Sequence, residues 1–250
     1  WNVGFNFSYN ADKILDLAGD DDIPLSETKK IWKVGQSQYE FYLPTWAGVD
    51  SKTGDPLWVA GSGVTNDYNS ADYEMQGRAT PWGFGSLTNG FNWKGLNFSF
   101  MFYYNLGGKV YDSLYASIMH DGNDSGKNLH SDALNAWTPT NTNTNVPIYK
   151  NGNDNQSNSP STRFLYDATY LKLKNVSLSY TLPKSVLKWS NGILSNVRVF
   201  ANAENLFTVF KDKGYKGYDD IDIFGVGGYD EFANYIPLSR TYTFGVNITF

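Results

Sequence analysis

The last eleven residues, RTYTFGVNITF, divide cleanly when read two at a time. Tyr242, Phe244, Val246, Ile248 and Phe250 fall on one side, and Thr241, Thr243, Gly245, Asn247 and Thr249 on the other. A strict period of two is the mark of a β-strand with one apolar face, and it does not fit a helix. The apolar set runs to a final phenylalanine, whereas the ends of soluble domains are usually polar and frayed.

The same alternation recurs upstream. Trp1, Val3, Phe5, Phe7 and Tyr9 share a face opposite Asn2, Gly4, Asn6, Ser8 and Asn10. Leu96, Phe98, Phe100, Phe102 and Tyr104 form a second stripe, preceded by a Lys94-Gly95 link of the kind that joins two strands of a hairpin. Val176, Leu178, Tyr180 and Leu182 alternate in the phase opposite to Leu171 and Leu173, which predicts a bulge near Lys174 and Asn175. Val197, Val199, Ala201 and Ala203 face away from Asn196, Arg198, Asn202 and Glu204, with Phe200 on the polar side.

Six strands result, at about 1–10, 82–93, 96–106, 164–182, 195–208 and 238–250. Their links alternate long, short, long, short, long. Residues 11–80, 107–163 and 211–237 read as long irregular segments, rich in Gly, Pro, Asn and Asp, while Lys94-Gly95 and Pro183–Ser195 read as short turns. Long loops are uncommon in compact domains, and here all three recur on one side. That is the layout of a transmembrane β-barrel.

Composition agrees. Phe, Trp and Tyr number 16, 8 and 18 among 250 residues, yet no apolar run approaches the roughly 18 residues of a membrane helix. A barrel strand needs only about 9–11 alternating residues. The net charge of −5 argues against a nucleic-acid surface, and the absence of Cys excludes disulfides and thiolate metal sites. In a bilayer Phe98, Phe100, Phe102, Val197, Val199, Phe244 and Ile248 would face lipid, with Arg198, Glu204 and Asn247 in the lumen. Trp1, Trp93, Tyr104 and Tyr242 fit aromatic girdles. Six strands leave two open edges, so further strands are expected upstream of Trp1, a mid-pattern start that reads as a cut end. On alternation alone, a secreted carbohydrate-binding β-sandwich or an outer-membrane barrel enzyme stay open as alternatives.

The stretches VGQSQYEFYLPTWAGVDSKTGDPLW, TRFLYDATYLKLKNVSLSYTLP, VRVFANAENLFT and the closing RTYTFGVNITF resemble the C-terminal third of SusC/RagA-type TonB-dependent transporters of Bacteroidetes, in the family's order. The resemblance implies an all-β fold: the C-terminal six strands of a transmembrane antiparallel barrel of about 22 strands, with extracellular loops and periplasmic turns. Residues 1–250 would then form one part of a single barrel domain in the outer membrane, without the plug and without the segment that reaches TonB. It implies import of oligosaccharides or peptides with a SusD-like surface lipoprotein, and no enzyme activity or cofactor. Partners would be that lipoprotein, TonB, membrane lipid and the rest of the barrel. Outer-membrane barrels end on an aromatic residue that the assembly machinery reads, which assigns that signal to Tyr242, Phe244, Val246, Ile248 and Phe250.

Two further sets of residues stand out. Trp46, Trp58, Trp137 and Tyr149, with Tyr68 and Tyr73, lie in the long segments and could form a platform for substrate or partner; the competing reading is packing between loops. DGNDSGKNLHSD, Asp121–Asp132, approximates a calcium loop through Asp121, Asn123, Ser125 and Asp132, with Asp where the usual twelfth-position Glu would stand. A solvated polar loop is the better account, since Asp132 reaches less far than Glu and Ser125 is an imperfect ligand. Asp219, Asp220 and Asp222 make a weaker version of the same pattern. Gly61-Ser62-Gly63 lacks the strand–turn–helix context of a nucleophile elbow, and both His, His120 and His130, lie in one loop.

Overall fold

The computed structural model describes residues 1–19, 21–26, 29–124, 126–215 and 239–250. Its main feature is a six-stranded antiparallel sheet in which sequence neighbours are also spatial neighbours. The wall strands are Asn2–Tyr9, Gly83–Trp93, Leu96–Leu106, Tyr170–Thr181, Asn196–Phe210 and Thr241–Thr249. Register follows from the pattern, because a slip of one residue would turn every apolar side chain to the wrong face. Phe98 stands across from Phe91 on one side and Leu178 on the other, Leu178 from Ala201, and Ala201 from Phe244. Phe5, Leu87, Phe102, Leu173 and Phe207 form a second such row.

The expected bulge is present and is double. Between the third and fourth strands Met101 pairs with Asn175 and Phe102 with Leu173, so Lys174 is the extra residue. Between the fourth and fifth, Leu173 pairs with Phe207 and Asn175 with Glu204, which sets Asn205 and Leu206 against Lys174. Asn205 takes a left-handed backbone, φ 54°, a conformation asparagine tolerates better than most residues. The Lys174 ammonium lies 5.6 Å from the centre of the Tyr103 ring.

All three long segments leave from one end of the sheet. There the Asn10 amide donates to the Trp82 carbonyl, the Trp82 amide to Leu106 and the Lys211 amide to Thr169. Trp1 stacks on Phe91 at the opposite end, and the Ser195 amide donates to the Thr249 carbonyl there at 2.8 Å. Both chain ends therefore share the short-turn end.

The short link Pro183–Ser195 carries a helical turn, Lys184–Leu187, followed by a 3₁₀ turn, Lys188–Ser190. One expectation is corrected: the first two long segments are not irregular. Residues 11–80 hold a four-stranded sheet (Ile23–Leu25, Lys30–Trp32, Glu40–Pro44, Tyr73–Arg78) and a three-stranded one (Trp46–Val49, Pro56–Ala60, Gly63–Thr65). Lys109–Tyr111 pairs with Leu165–Asp167. These strands have six residues or fewer, too short to show a period. Their prolines sit where the ladder can spare an amide: Pro24 on an edge strand, Pro44 and Pro56 at strand ends. Phe41, Leu43, Ala79, Tyr111, Met119 and Phe164 close a core between the first two long segments. The glycine-rich stretch up to Pro237, with Asp219, Asp220 and Asp222, lies outside the described residues apart from its first few.

Candidate transport site: a two-faced wall beneath a loop platform

The wall has two chemically distinct faces. One carries the apolar rows, and much of it is open: Phe5, Phe7, Phe91, Val199, Phe244 and Val246 are all exposed. No described strand pairs with the outer edge of the first or last wall strand, and no second described sheet covers the apolar face. Val197 departs from its stripe, at 9% exposure against 41% for Val199. Of the girdle residues, Trp1, Trp93 and Tyr242 are exposed, whereas the Tyr104 hydroxyl donates to the Asn6 carbonyl at 2.7 Å.

The opposite face is polar and cross-linked. The Ser177 hydroxyl donates to Asn202 Oδ1 at 2.7 Å, the Arg198 guanidinium to Ser179 Oγ at 3.0 Å, and Asn6 Nδ2 to Ser86 Oγ at 2.8 Å. Arg198 pairs with Asn247 across the last ladder, and Glu204 with Thr241. A charge in hydrocarbon costs several kcal/mol, so this face suits a watered lumen and the other suits lipid.

Above the wall, the loop platform takes up most of the candidate contact residues as internal packing. Trp58 is fully buried, edge-on to both Trp46 and Tyr68. Trp137 is buried over Gly54, where a Cβ would fall 2.7 Å from its ring, and its indole N–H donates to the Ser51 carbonyl at 3.1 Å. The Trp46 indole donates to Asn145 Oδ1 at 2.8 Å, and the Trp46 amide donates to Thr162 Oγ1 at 2.8 Å. Of the four, Tyr149 alone is largely exposed. Tyr68 donates to the Pro160 carbonyl at 2.8 Å and lies 3.1 Å from the hydroxyl of the exposed Tyr73.

The sequence reading passed over Arg163. Its guanidinium lies 4.9 Å from the centres of both the Trp46 and the Phe164 rings, and Nη1 donates to the Ser157 carbonyl at 2.8 Å. Burial lowers its pKa to about 10. Beside it, with Tyr115, Asp132, Asn145, Thr144 and Tyr166, opens a pocket of hydroxyls, amides and ring faces. The Tyr115 hydroxyl donates to Asp132 Oδ2 at 2.8 Å, and burial with that partner pushes its pKa far up. Arg163 is the middle residue of the 3₁₀ turn Thr162–Phe164, a place that carries no distinguishing sequence signal.

The described residues of the calcium pattern have protein partners. Asp132 is held by Tyr115, Asp121 Oδ2 accepts from Asn153 Nδ2 at 3.1 Å, and Asn123 Nδ2 donates to Asn158 Oδ1 at 3.3 Å. Ser125 lies outside the described residues, and no group of three or more acidic, His or Cys side chains suited to a metal occurs among the described ones. Burial raises the carboxyls of Asp121 and Asp112, the latter capping the helix Ser113–Ser117 through the Tyr115 amide. Each His caps its own turn: Nδ1 of His120 accepts from the Gly122 amide and Nδ1 of His130 from Asp132.

A meander with one lipid-compatible face, one polar face and all long loops at one end defines a class, the wall of a transmembrane β-barrel. Comparison with known proteins carries this further. The chain is 29% identical over 285 residues to TonB-dependent receptor P3 of Formosa agariphila, covering 100% of this chain and 27% of that protein. Against TonB-dependent receptor SusC of Bacteroides thetaiotaomicron it is 26% identical over 269 residues, covering 24% of the relative. The solved RagAB peptide transporter superposes with a TM-score of 0.79 at 30% identity, over 99% of this chain and 27% of that one. In its closed-closed state the RagAB peptide importer gives 0.75 at 29% identity. No family model matches the chain. By sequence and fold alike the chain is similar to the SusC/RagA type of TonB-dependent transporters. It spans about a quarter of the length of the relatives it matches.

Proposed function

We propose that this chain forms part of the wall and surface loops of an outer-membrane importer of large polar nutrients, oligosaccharides or peptides. The observation that carries it is the two-faced sheet whose long segments all leave from one end, the first two packing together there. The relatives are receptors and transporters, one of them the RagAB peptide transporter, which favours import over catalysis. In this reading about 22 strands close the barrel, the platform faces outward to meet a SusD-like lipoprotein, and TonB supplies energy through a plug encoded elsewhere in the protein. The bacterium would be of the Bacteroidetes type. The wall and platform supply shape and polarity; the moving gate is not among these residues.

Extraction and uptake test it. The full-length protein should leave the membrane only with detergent, shift its gel mobility on heating and co-purify with a lipoprotein. Cells lacking it should lose uptake of labelled oligopeptides or of oligosaccharides, and which one is lost assigns the cargo. A protein released without detergent would sink the reading in favour of a secreted sandwich.

A further inference from the structure

The link between the fourth and fifth wall strands has a composition that the transport reading leaves unused. It begins at Pro183, makes the helical turn Lys184–Leu187 and the 3₁₀ turn Lys188–Ser190, which Asn191 closes in a left-handed conformation, φ 50°, and runs on to Ser195. It is ordered from within. Leu187 is buried, the Ser190 hydroxyl donates to the Leu187 carbonyl at 2.8 Å, and Ser190 Oγ accepts from the Leu194 amide at 3.1 Å. Yet Trp189 is 73% exposed, Ile193 66% and Val186 48%. The strands on either side of this link are interior to the sheet, so the exposure does not come from an open sheet edge.

Acidic side chains are absent from this link and from the adjoining stretches of the strands that flank it. No Asp or Glu occurs in residues 80–111 or 168–203, although the chain holds 25 acids and is net −5. The short-turn end keeps Lys94, Lys184 and Lys188, all exposed. The Lys94-Gly95 turn is tied to the fourth strand, next to this link, by the Thr181 amide on the Gly95 carbonyl at 2.9 Å, and the Lys94 ammonium lies 5.2 Å from the centre of the exposed Trp93 ring. Exposed indoles and aliphatics beside ammonium groups with no Asp or Glu in the same segments match a membrane interface, where apolar side chains enter the acyl boundary and lysines meet phosphate.

We propose that Pro183–Ser195 is an interfacial anchor: Val186, Trp189 and Ile193 enter the bilayer at the short-turn end, and Lys184, Lys188 and Lys94 hold the phosphates of anionic phospholipids. The anchor rests on the barrel reading, since it needs the apolar face of the wall to lie in the same bilayer. It fixes the wall's depth and gives the transporter a preferred lipid.

The test uses the full-length transporter, cleared of any other cysteine, in lipid nanodiscs; this chain contributes none. Trp189→Cys carries bimane, and a second sample carries it at Phe100→Cys. The label at 189 should be quenched by nitroxide at headgroup depth and shielded from aqueous iodide, and the label at 100 by nitroxide deep in the acyl chains. In mixed phosphatidylglycerol and phosphatidylcholine discs, native mass spectrometry should show anionic lipid enriched about ten-fold on the protein, and Lys184→Glu with Lys188→Glu should remove most of that enrichment. A label at 189 quenched by iodide alone, with the label at 100 still lipid-quenched, overturns the anchor and leaves the barrel standing. Loss of lipid quenching at both overturns both. Enrichment unchanged by the charge reversal overturns the phosphate contact.

Discussion

Phe200 stands directly across from Gly245 on the polar face of the wall, and a Cβ placed at Gly245 would run into the Phe200 ring. This explains an aromatic side chain on a face otherwise lined with Asn, Ser and Thr. The ring covers backbone that glycine leaves bare, a pairing that fixes register where one partner has no side chain. Gly245→Val should therefore cost about 1–3 kcal/mol through overpacking, and Phe200→Ala in the same protein should recover most of the loss. The midpoint of heat modification on gels reads both. An additive double mutant would mean that the two residues do not meet.

The platform separates packing from contact. Trp58→Ala removes a fully buried indole and should cost about 3–5 kcal/mol, loosening the loops and weakening the lipoprotein complex indirectly. Tyr149→Ala removes an exposed ring and should leave loop stability unchanged. Protease resistance of the loops and a pull-down of the lipoprotein distinguish the two. Weaker binding from Tyr149→Ala with intact loops would make Tyr149 a contact residue.

Acidification should tighten one corner of the platform. Burial raises the Asp112 and Asp121 carboxyls above the ordinary carboxylate value. A raised folded-state pKa gives stability that is complete below the unfolded pKa and is lost as pH rises through the folded one. Hydrogen-exchange protection around Asp121 and Lys150 should thus rise as pH falls from neutral towards the carboxylate range. Asp121→Asn, which keeps an oxygen for Asn153, should be at least as protected at neutral pH and should flatten the response. Protection that falls on mild acidification would show that the ionised carboxylate is the stabilising form.

Phe250 is exposed at the end of the last strand, so its own burial contributes at most about 1.5–3 kcal/mol in lipid. If it serves chiefly as an assembly signal, Phe250→Asp should lower the amount of barrel in the outer membrane far more than the melting temperature of what inserts. Normal insertion with early melting would make the residue structural.

The wall was legible in the sequence because a half-buried strand writes its geometry as a period of two, from Trp1 to Tyr9 and again from Tyr242 to Phe250. Even the Lys174 bulge showed, as a change of phase between Leu173 and Val176. Its counterpart at Asn205 and Leu206 did not, because nothing local in NAENLF marks which residues will be left without partners. The platform was illegible for a related reason. Its strands are short and gain their stability from distant partners, such as Trp46 with Thr162 and Asn145, or Trp137 with Gly54 and Ser51. The tryptophans could be seen as important there, but burial decides their role, and burial depends on those long-range contacts. Arg163 gave no signal at all, since its place between two rings is a property of the assembled platform.

In the barrel the wall lies in a bilayer with its apolar rows outward. Single cysteines placed in turn along Leu96–Leu106 of the full-length protein, in intact outer membranes, test this most directly. Positions 97, 99 and 101 should react with a small membrane-impermeant maleimide admitted to the lumen, and positions 98, 100 and 102 should resist it while reacting with a lipid-soluble one. Reactivity with no period of two, or with the opposite phase, would contradict the account.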